Sequence, residues 1–170
     1  MLRKILNKLY LLCGYASAIF LALIAIVTFL QIVARQLGYA IETTEIAGFF
    51  LSASTFLGLS YTFINGEHVR VSLLSNALPK STHKWIELWC CCIAISITSF
   101  AAWNMALFTN ESYNFGDLSP GILAMPMWVP QLGATIGLFV MLLGISEQIV
   151  LILSNKKPDY DVIIDMNMGE

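Results

Sequence analysis

Four long stretches of this sequence contain no Asp, Glu, Lys, Arg or His. They cover residues 9–34, 46–66, 88–110 and 118–146. A helix needs roughly 20 apolar residues to cross the hydrocarbon core of a bilayer, and every stretch reaches that length. The pattern therefore predicts an all-α integral membrane protein. We place its four transmembrane helices near residues 10–33, 45–64, 85–109 and 129–153.

The composition agrees with a membrane environment. Apolar residues make up 58% of the 170 residues and charged residues only 12%, whereas an average soluble domain has about 25% charged residues. This balance excludes an ordinary soluble enzyme and a disordered segment. The net charge of −2 excludes the basic surface that a nucleic-acid binder needs. Outer-membrane strands would alternate apolar and polar residues, and the apolar run at 19–26 does not.

The distribution of Lys and Arg predicts the orientation. Eight of the nine basic residues lie in the N-terminal segment, between spans two and three, or after span four. The positive-inside rule then places both termini in the cytoplasm, with Arg35 alone on the outer side. The first apolar segment exceeds a signal-peptide core of roughly 7–15 residues, so we expect a retained helix. We expect a membrane domain over 1–155 and a polar cytoplasmic tail over 156–170.

Tryptophans mark the predicted membrane interfaces. Trp85 and Trp103 are 18 residues apart, which is about 27 Å along a helix and close to the thickness of the hydrocarbon core. We expect Trp85 and Trp89 at the inner interface, and Trp103 and Trp128 at the outer one.

The connection between spans two and three contains an amphipathic segment at 68–79. Apolar residues such as Val69 and Leu73 are interspersed there with polar ones, including His68 and Arg70. We predict a short interfacial helix that lies along the inner membrane surface and anchors the chain at the lipid headgroups.

Side chains that perform covalent chemistry or bind cofactors are nearly absent from the spans. Cys90, Cys91 and Cys92 are consecutive and point in different directions on a helix, so we interpret them and Cys13 as reduced apolar residues. No predicted span contains a histidine for haem, and the Cys and His spacing does not fit a zinc site. We expect no enzymatic activity, no cofactor and no metal on this chain.

Glu147 is the carboxylate that we weigh as a coupling residue. A carrier driven by protons or cations keeps an ionisable group at membrane depth, where such groups are costly and mark function. Glu147 lies 17 residues after Pro130, about 26 Å along span four. This places it at the inner boundary and favours a carboxylate that reaches the headgroups.

Small residues line one face in each of two spans. In span four these are Gly133, Gly137 and Gly144, and in span two they are Gly48, Ser52, Thr55 and Gly58. Such faces let helix backbones approach closely. Two interpretations remain open: packing among the four helices of this chain, or docking onto a larger membrane partner.

Polar residues cluster at the predicted outer face. Arg35, Glu42 and Glu45 lie between spans one and two, and the loop 110–128 adds two carboxylates, Glu111 and Asp117. Glu45 in the first turn of span two suits the helix dipole. A lone outer Arg either pairs with these carboxylates or binds a carboxylate on a periplasmic partner.

The order of several residues resembles a known family. They are Arg35 at the end of span one, Thr44 and Glu45 at the start of span two, Gly58, the segment 66–71 with His68 and Val69, and the segment 126–130 with two prolines. Together they resemble the small membrane subunit, the DctQ-type or Q subunit, of tripartite ATP-independent periplasmic (TRAP) transporters. The likeness covers about residues 5–153. Two departures are Ser72, where an acidic residue is common, and Glu67, which separates the glycine from His68.

The resemblance implies a division of labour among three proteins. A soluble periplasmic protein captures an organic acid anion, of sialic acid or C4-dicarboxylate type, and delivers it to a large M-type subunit. That subunit binds sodium and substrate and moves like an elevator in the bacterial inner membrane. The small subunit extends the static scaffold and helps to dock the binding protein. The expected docking residues are Arg35, Glu42, Glu45, Glu111 and Asp117, and the small-residue faces of spans two and four are expected to pack against the large subunit. Sodium is then expected on the large subunit and not on this chain.

Two other classes stay open. An autonomous small transporter that works as a homo-oligomer would need a coupling residue in the membrane, and Glu147 could serve. A membrane scaffold of an unrelated complex, such as a respiratory enzyme, would show cofactor absorbance after purification.

Overall fold

The computed structural model describes residues 2–64, 80–121 and 123–154. These residues form four α-helices, which are α1 (Leu2–Gln36), α2 (Thr44–Ile64), α3 (Lys80–Phe115) and α4 (Trp128–Leu153). Each helix contains a segment long and apolar enough to cross a membrane. No β-strand occurs within the described ranges, where the one β feature is an isolated bridge. The prediction of an all-helical protein with four candidate spans is confirmed.

The bounds of α2 and α4 agree with the predicted spans to within one residue, whereas α1 and α3 are longer. The helix α3 continues to Phe115, so Glu111 lies on a helix and not in a loop. Packing explains this extension. Ser112 is buried, and the ring of Tyr113 meets that of Trp128 edge-on, with centroids 5.7 Å apart. These contacts with α4 outweigh the polar character of the last helical turns.

Two glycines end α1 and α3. Gly38 and Gly116 adopt φ angles of +85° and +65°, a region that glycine enters without strain. After α1, the N–H of Tyr39 donates to the carbonyl of Ala34 (2.9 Å), and that of Gly38 donates to Arg35 (3.1 Å). This pair of bonds is a Schellman motif, which satisfies carbonyl groups left open at a helix end.

The helices pack in the order α1, α2, α4, α3, so α2 and α4 form the middle of the bundle. No residue is buried in the most apolar stretch of α1, whereas 39% of the corresponding stretch of α4 is buried. The helices α1 and α3 therefore lie at the two edges and expose large apolar side chains. A surface of this kind requires cover by lipid or by a membrane partner.

Glycines on α4 bring its backbone against α2. A Cβ atom at Gly137 would overlap the carbonyl group of Phe56, and one at Gly133 would lie 3.0 Å from the Cβ of Ala53. Gly144 also lies against α2, farther along the same seam. Because no side chain separates the backbones, the two helices gain close van der Waals contact.

Serine and glycine residues hold α1 against α2. The hydroxyl of Ser17 donates to the carbonyl of Ser54 (2.7 Å), and the hydroxyl of Ser54 donates to the carbonyl of Ser17 (3.0 Å). Gly58 lies directly beneath Ser17, since a Cβ there would be 2.8 Å from Ser17 Oγ. Polar bonds between membrane helices contribute about 0.6 kcal/mol each. The α1–α2 contact thus combines close approach with reciprocal hydrogen bonds.

The bundle has two distinct ends. The start of α1, the end of α2, the start of α3 and the end of α4 share one end, which we call the terminal end. The opposite end, which we call the loop end, holds the α1–α2 and α3–α4 connections. The predicted interfacial helix at 68–79, with His68 and Arg70, and the tail at 156–170 lie outside the described residues. The cytoplasmic placement of both termini stays a prediction.

Candidate functional site

The predicted docking residues are all located at the loop end. Arg35 is on the last turn of α1, Glu42 precedes α2, Glu111 is on α3, and Asp117 follows α3 directly. All four side chains are exposed. Within the described part of the chain, Arg35 and Glu42 form no ion pair. Pairing of Arg35 with neighbouring carboxylates, one of the two alternatives, is therefore not seen among the described residues, and the Arg35 side chain is exposed.

The start of α2 is tied to both neighbouring segments. Glu45 Oε1 accepts a hydrogen bond from Ser119 Oγ, and Gly121 packs against the same carboxylate, where a Cβ would overlap it. On the other side, Thr43 Oγ1 donates to Gln31 Oε1 of α1 (2.8 Å). Glu45 therefore has a tethering role in addition to its favourable place at a helix N-terminus.

The two arms of the α3–α4 connection are bonded to each other. The N–H of Ser119 donates to the carbonyl of Met125 (2.8 Å), and the N–H of Met127 donates to that of Asp117 (3.0 Å). The arms 117–121 and 123–127 thus pair as a hairpin, which we call the loop-end hairpin. Its bond to Glu45 fixes the position of exposed Asp117 relative to α2.

The small residues divide into two groups. Gly133, Gly137 and Gly144 contact α2 of the same chain, and Gly58 contacts α1. These contacts correspond to the intramolecular interpretation of the small-residue faces. The position of Gly48 differs, because none of the described residues outside its own stretch of helix comes within 4 Å of a Cβ placed there.

The remaining two small residues lie on the same side of α2 as Gly48. Ser52 is half-buried and Thr55 is exposed. They follow Gly48 at helical spacings of four and seven residues, so the three share one face. This face, which we call the α2 small face, is the part of the small-residue pattern that the described residues leave most open, since Gly48 and Thr55 are exposed and Ser52 is half-buried.

The tryptophans of α3 share one exposed face. Trp85, Trp89 and Trp103 are 72%, 71% and 66% exposed. Hydroxyl and amide groups on the exposed surface of this helix bond to its own backbone: Ser96 donates to Cys92, and Asn104 donates to Phe100. The exposed surface of α3 therefore offers large apolar groups, and these two polar side chains are already satisfied. Their placement at the membrane interfaces stays a prediction.

Sequence reasoning missed a contact at the terminal end. The hydroxyl of Tyr10, which is only 2% exposed, donates to Glu147 Oε2 across 3.1 Å. This bond links α1 to α4, although the two helices are not neighbours in the packing order. The signal available from the sequence was a tyrosine and a carboxylate at the same predicted membrane boundary. Their pairing depended on the helix order, which the sequence did not reveal.

A second missed feature is a buried polar layer between α3 and α4. Thr109 and Thr135 are buried, and their hydroxyl oxygens are 2.9 Å apart. Gln131, one turn earlier on α4, is also buried. Polar residues in a membrane helix usually face the bundle interior, so the amide of Gln131 was a usable signal.

The cysteines occupy dissimilar environments. Cys13 and Cys91 are buried, whereas Cys92 is exposed. In the described ranges, no three His, Cys, Asp or Glu side chains converge as ligands for a metal ion.

Four apolar helices, with two connections tied together at one end, define this chain as a multi-pass membrane protein. Residues 24–155 match the family described as "Tripartite ATP-independent periplasmic transporters, DctQ component". The chain therefore belongs to the DctQ family of small TRAP transporter components, which confirms the resemblance found in the sequence. This membership and the four helices indicate a multi-pass protein of the inner membrane. Searches of curated proteins and of solved structures found no match.

Proposed function

We propose that this chain is the small scaffold subunit of a sodium-coupled, binding-protein-dependent importer of an organic acid anion. Family membership is the observation that carries this proposal, because DctQ components work in tripartite systems with a large M component and a binding protein. The anion is a carboxylate of sialic acid or C4-dicarboxylate type. The large subunit would bind sodium and substrate, and this chain would support it.

The α2 small face is our candidate for the contact with the large subunit. Gly48 leaves an open surface over the backbone, and a partner helix can approach such a surface closely. The exposed residues of the edge helices are different: Ile19 on α1 and Phe100 on α3 are large and apolar. Lipid chains accommodate such side chains readily. The difference in residue size therefore supports a protein contact at α2 and lipid at much of α1 and α3.

The loop end is our candidate surface for the periplasmic binding protein. Arg35 offers a positive charge, and Glu42, Glu111 and Asp117 offer negative ones, all exposed. Charges at the rim of an interface steer the encounter and select the partner. Glu45 would act through the loop-end hairpin, which it holds in place.

The tryptophans and the segment 68–79 would hold the scaffold at fixed depth. Trp85 and Trp89 would lie at the inner interface with His68 and Arg70, and Trp103 at the outer one with Trp128. This arrangement supports an orientation with both termini in the cytoplasm, in agreement with the positive-inside rule.

Co-purification tests the proposal. The chain, tagged at its C-terminus, is extracted from native membranes in mild detergent, and bound proteins are identified by mass spectrometry. We expect a stoichiometric partner with roughly a dozen predicted spans. A chain that purifies alone as a self-associated oligomer would contradict the scaffold role and favour an autonomous transporter. Cofactor absorbance in the purified complex would instead favour a scaffold of another enzyme.

A pair of variants tests the proposed contact face. Gly48→Leu fills the open surface on α2, so we expect much less of the large partner to co-purify. Ser96→Leu adds the same side chain to the exposed surface of α3 and serves as the control. Equal partner yields for both variants would show that the large subunit does not dock on the α2 small face.

A further inference from the structure

The buried polar layer between α3 and α4 contains an unsatisfied amide. Gln131 is only 5% exposed, and neither its Nε2 nor its Oε1 has a hydrogen-bond partner. A buried amide without partners is costly, and most buried polar atoms in native proteins are bonded to protein or to ordered water. The amide offers one strong acceptor and two donors. Its surroundings therefore should contain a further polar group or a bound molecule.

The helix register places Ser112 in the same layer. Thr109 and Thr135 face each other across the antiparallel pair. Ser112 lies three residues beyond Thr109, and Gln131 lies four residues before Thr135, so both are about one turn closer to the loop end. Ser112 is 1% exposed. Its hydroxyl and the Gln131 amide thus occupy adjacent positions in a buried environment.

The depth of this layer allows access by water. Gln131 is the fourth residue of α4, about 5 Å from the start of the helix. It therefore lies close to the loop end and not near the centre of a span. A buried water typically forms about three hydrogen bonds with polar groups that lack other partners. The Gln131 amide supplies two such atoms, and the buried hydroxyl of Ser112 supplies a third polar group.

We propose that Gln131 and Ser112 form a binding site for a buried water molecule, which completes the hydrogen bonding of the α3–α4 polar layer. The water donates one hydrogen bond to Gln131 Oε1 and accepts one from Gln131 Nε2. It forms a third hydrogen bond with Ser112 Oγ. The site is internal, so it stabilises the helix pair near the loop end and takes no part in substrate recognition.

Melting temperatures of the full-length chain in detergent test this site. Gln131→Met keeps the volume but removes the polar atoms, and Ser112→Ala removes the hydroxyl. We expect each variant to lower the melting temperature by about 3 °C or more. The double variant should fall no further than the worse single one, because both remove the same bridge. Ser96→Ala, which removes an exposed hydroxyl from α3, should leave the melting temperature unchanged.

Two results would overturn the proposal. A melting temperature that rises or stays constant in Gln131→Met would mean that the amide is unpaired in the native state. Additive losses in the double variant would mean that Gln131 and Ser112 do not share a water. If the variants fail to fold, density maps of the wild-type protein that show other ordered waters decide the question. A water peak within hydrogen-bonding distance of Gln131 supports the site, and its absence there refutes it.

Discussion

The hydroxyl of Tyr10 donates to the carboxylate of Glu147 across 137 positions of sequence. This bond joins α1 to α4 at the terminal end. It lies beside an apolar cluster that includes Cys13, Leu57 and Val140. The edge helix α1 is thus held to α4 by a polar contact next to a small apolar core, in addition to its serine bonds with α2.

Tyr10→Phe should destabilise the chain by about 1–2 kcal/mol, because it removes a hydrogen bond and keeps the ring. Thermal or denaturant unfolding in detergent measures the loss. Tyr15→Phe is the matched control, since Tyr15 on the same helix is 63% exposed and its hydroxyl is remote from the bundle interior. Equal stabilities of the two variants would show that the Tyr10–Glu147 bond contributes nothing.

Glu147→Gln separates the scaffold from the autonomous carrier. The amide oxygen of glutamine can still accept the bond from Tyr10, so we expect normal complex yield and normal uptake of labelled sialic acid or succinate, whichever the wild-type complex transports. A carrier coupled through this carboxylate would lose its uptake instead. Complete loss of transport in a complex of normal yield would therefore show that the coupling site lies on this chain.

Alanine substitution at two glycines should have opposite effects. A Cβ at Gly137 overlaps the backbone of α2, so Gly137→Ala should cost about 2 kcal/mol or more through overpacking. Gly48 has open space around it, so Gly48→Ala should stabilise its helix by about 0.5–1 kcal/mol. Unfolding of the purified chain in mixed micelles measures both. If both variants changed the free energy of unfolding in the same direction, the contrast between the closely packed Gly137 and the open Gly48 would be contradicted.

Ser119→Ala should loosen the loop-end hairpin. It removes the bond to Glu45, which contributes about 1.5 kcal/mol as a charge-assisted hydrogen bond. We expect roughly tenfold faster hydrogen exchange in the peptide that covers 117–127. Ser146→Ala is the control, because the hydroxyl of Ser146 donates to the carbonyl of Leu143 on its own helix. Unchanged exchange in the hairpin would show that Glu45 does not hold it.

Arg35→Glu should reduce uptake by about tenfold at limiting concentrations of the binding protein, since it reverses an exposed charge at the proposed interface. Proteoliposomes that contain the membrane complex measure this rate when purified binding protein is added. Gln36→Glu adds a negative charge one residue away and should have a much smaller effect. Wild-type uptake in Arg35→Glu would refute docking at this residue, whereas a lost complex would assign Arg35 a structural role.

Hydrophobic patterning was sufficient to predict the four helices. The bounds of α2 and α4 followed from it to one residue, because apolar residues are continuous there and end in polar ones. The bounds of α3 did not, since the turn that contains Glu111 is polar and yet helical, next to buried Ser112 and to Tyr113, whose ring contacts Trp128 of α4. The hydrophobic pattern of a segment indicates whether that segment lies in an apolar environment. It does not indicate which distant residues pack against the segment.

The predicted site residues show the same limit. The spacing of Gly133 and Gly137 indicated a close helix contact, which the structure shows with α2. The spacing alone does not identify the partner helix. Glu45 was expected to suit a helix N-terminus, and its bond to Ser119 was missed because 74 residues separate the two. For Arg35 the sequence left two alternatives open, pairing with neighbouring carboxylates or binding a carboxylate on a partner, and the structure shows an exposed side chain with no such pair among the described residues.

The packing order α1, α2, α4, α3 has a consequence for biosynthesis. The first two helices can assemble through Ser17 and Ser54 as soon as both have left the translocon. The seam at Gly137, however, requires α4, which is synthesised after the other three described helices. The side of α2 that packs against Gly137 must therefore stay uncovered in the nascent chain until α4 has been translated. Membrane insertion and final assembly are consequently separate events in time, and the last helix to arrive closes the structure.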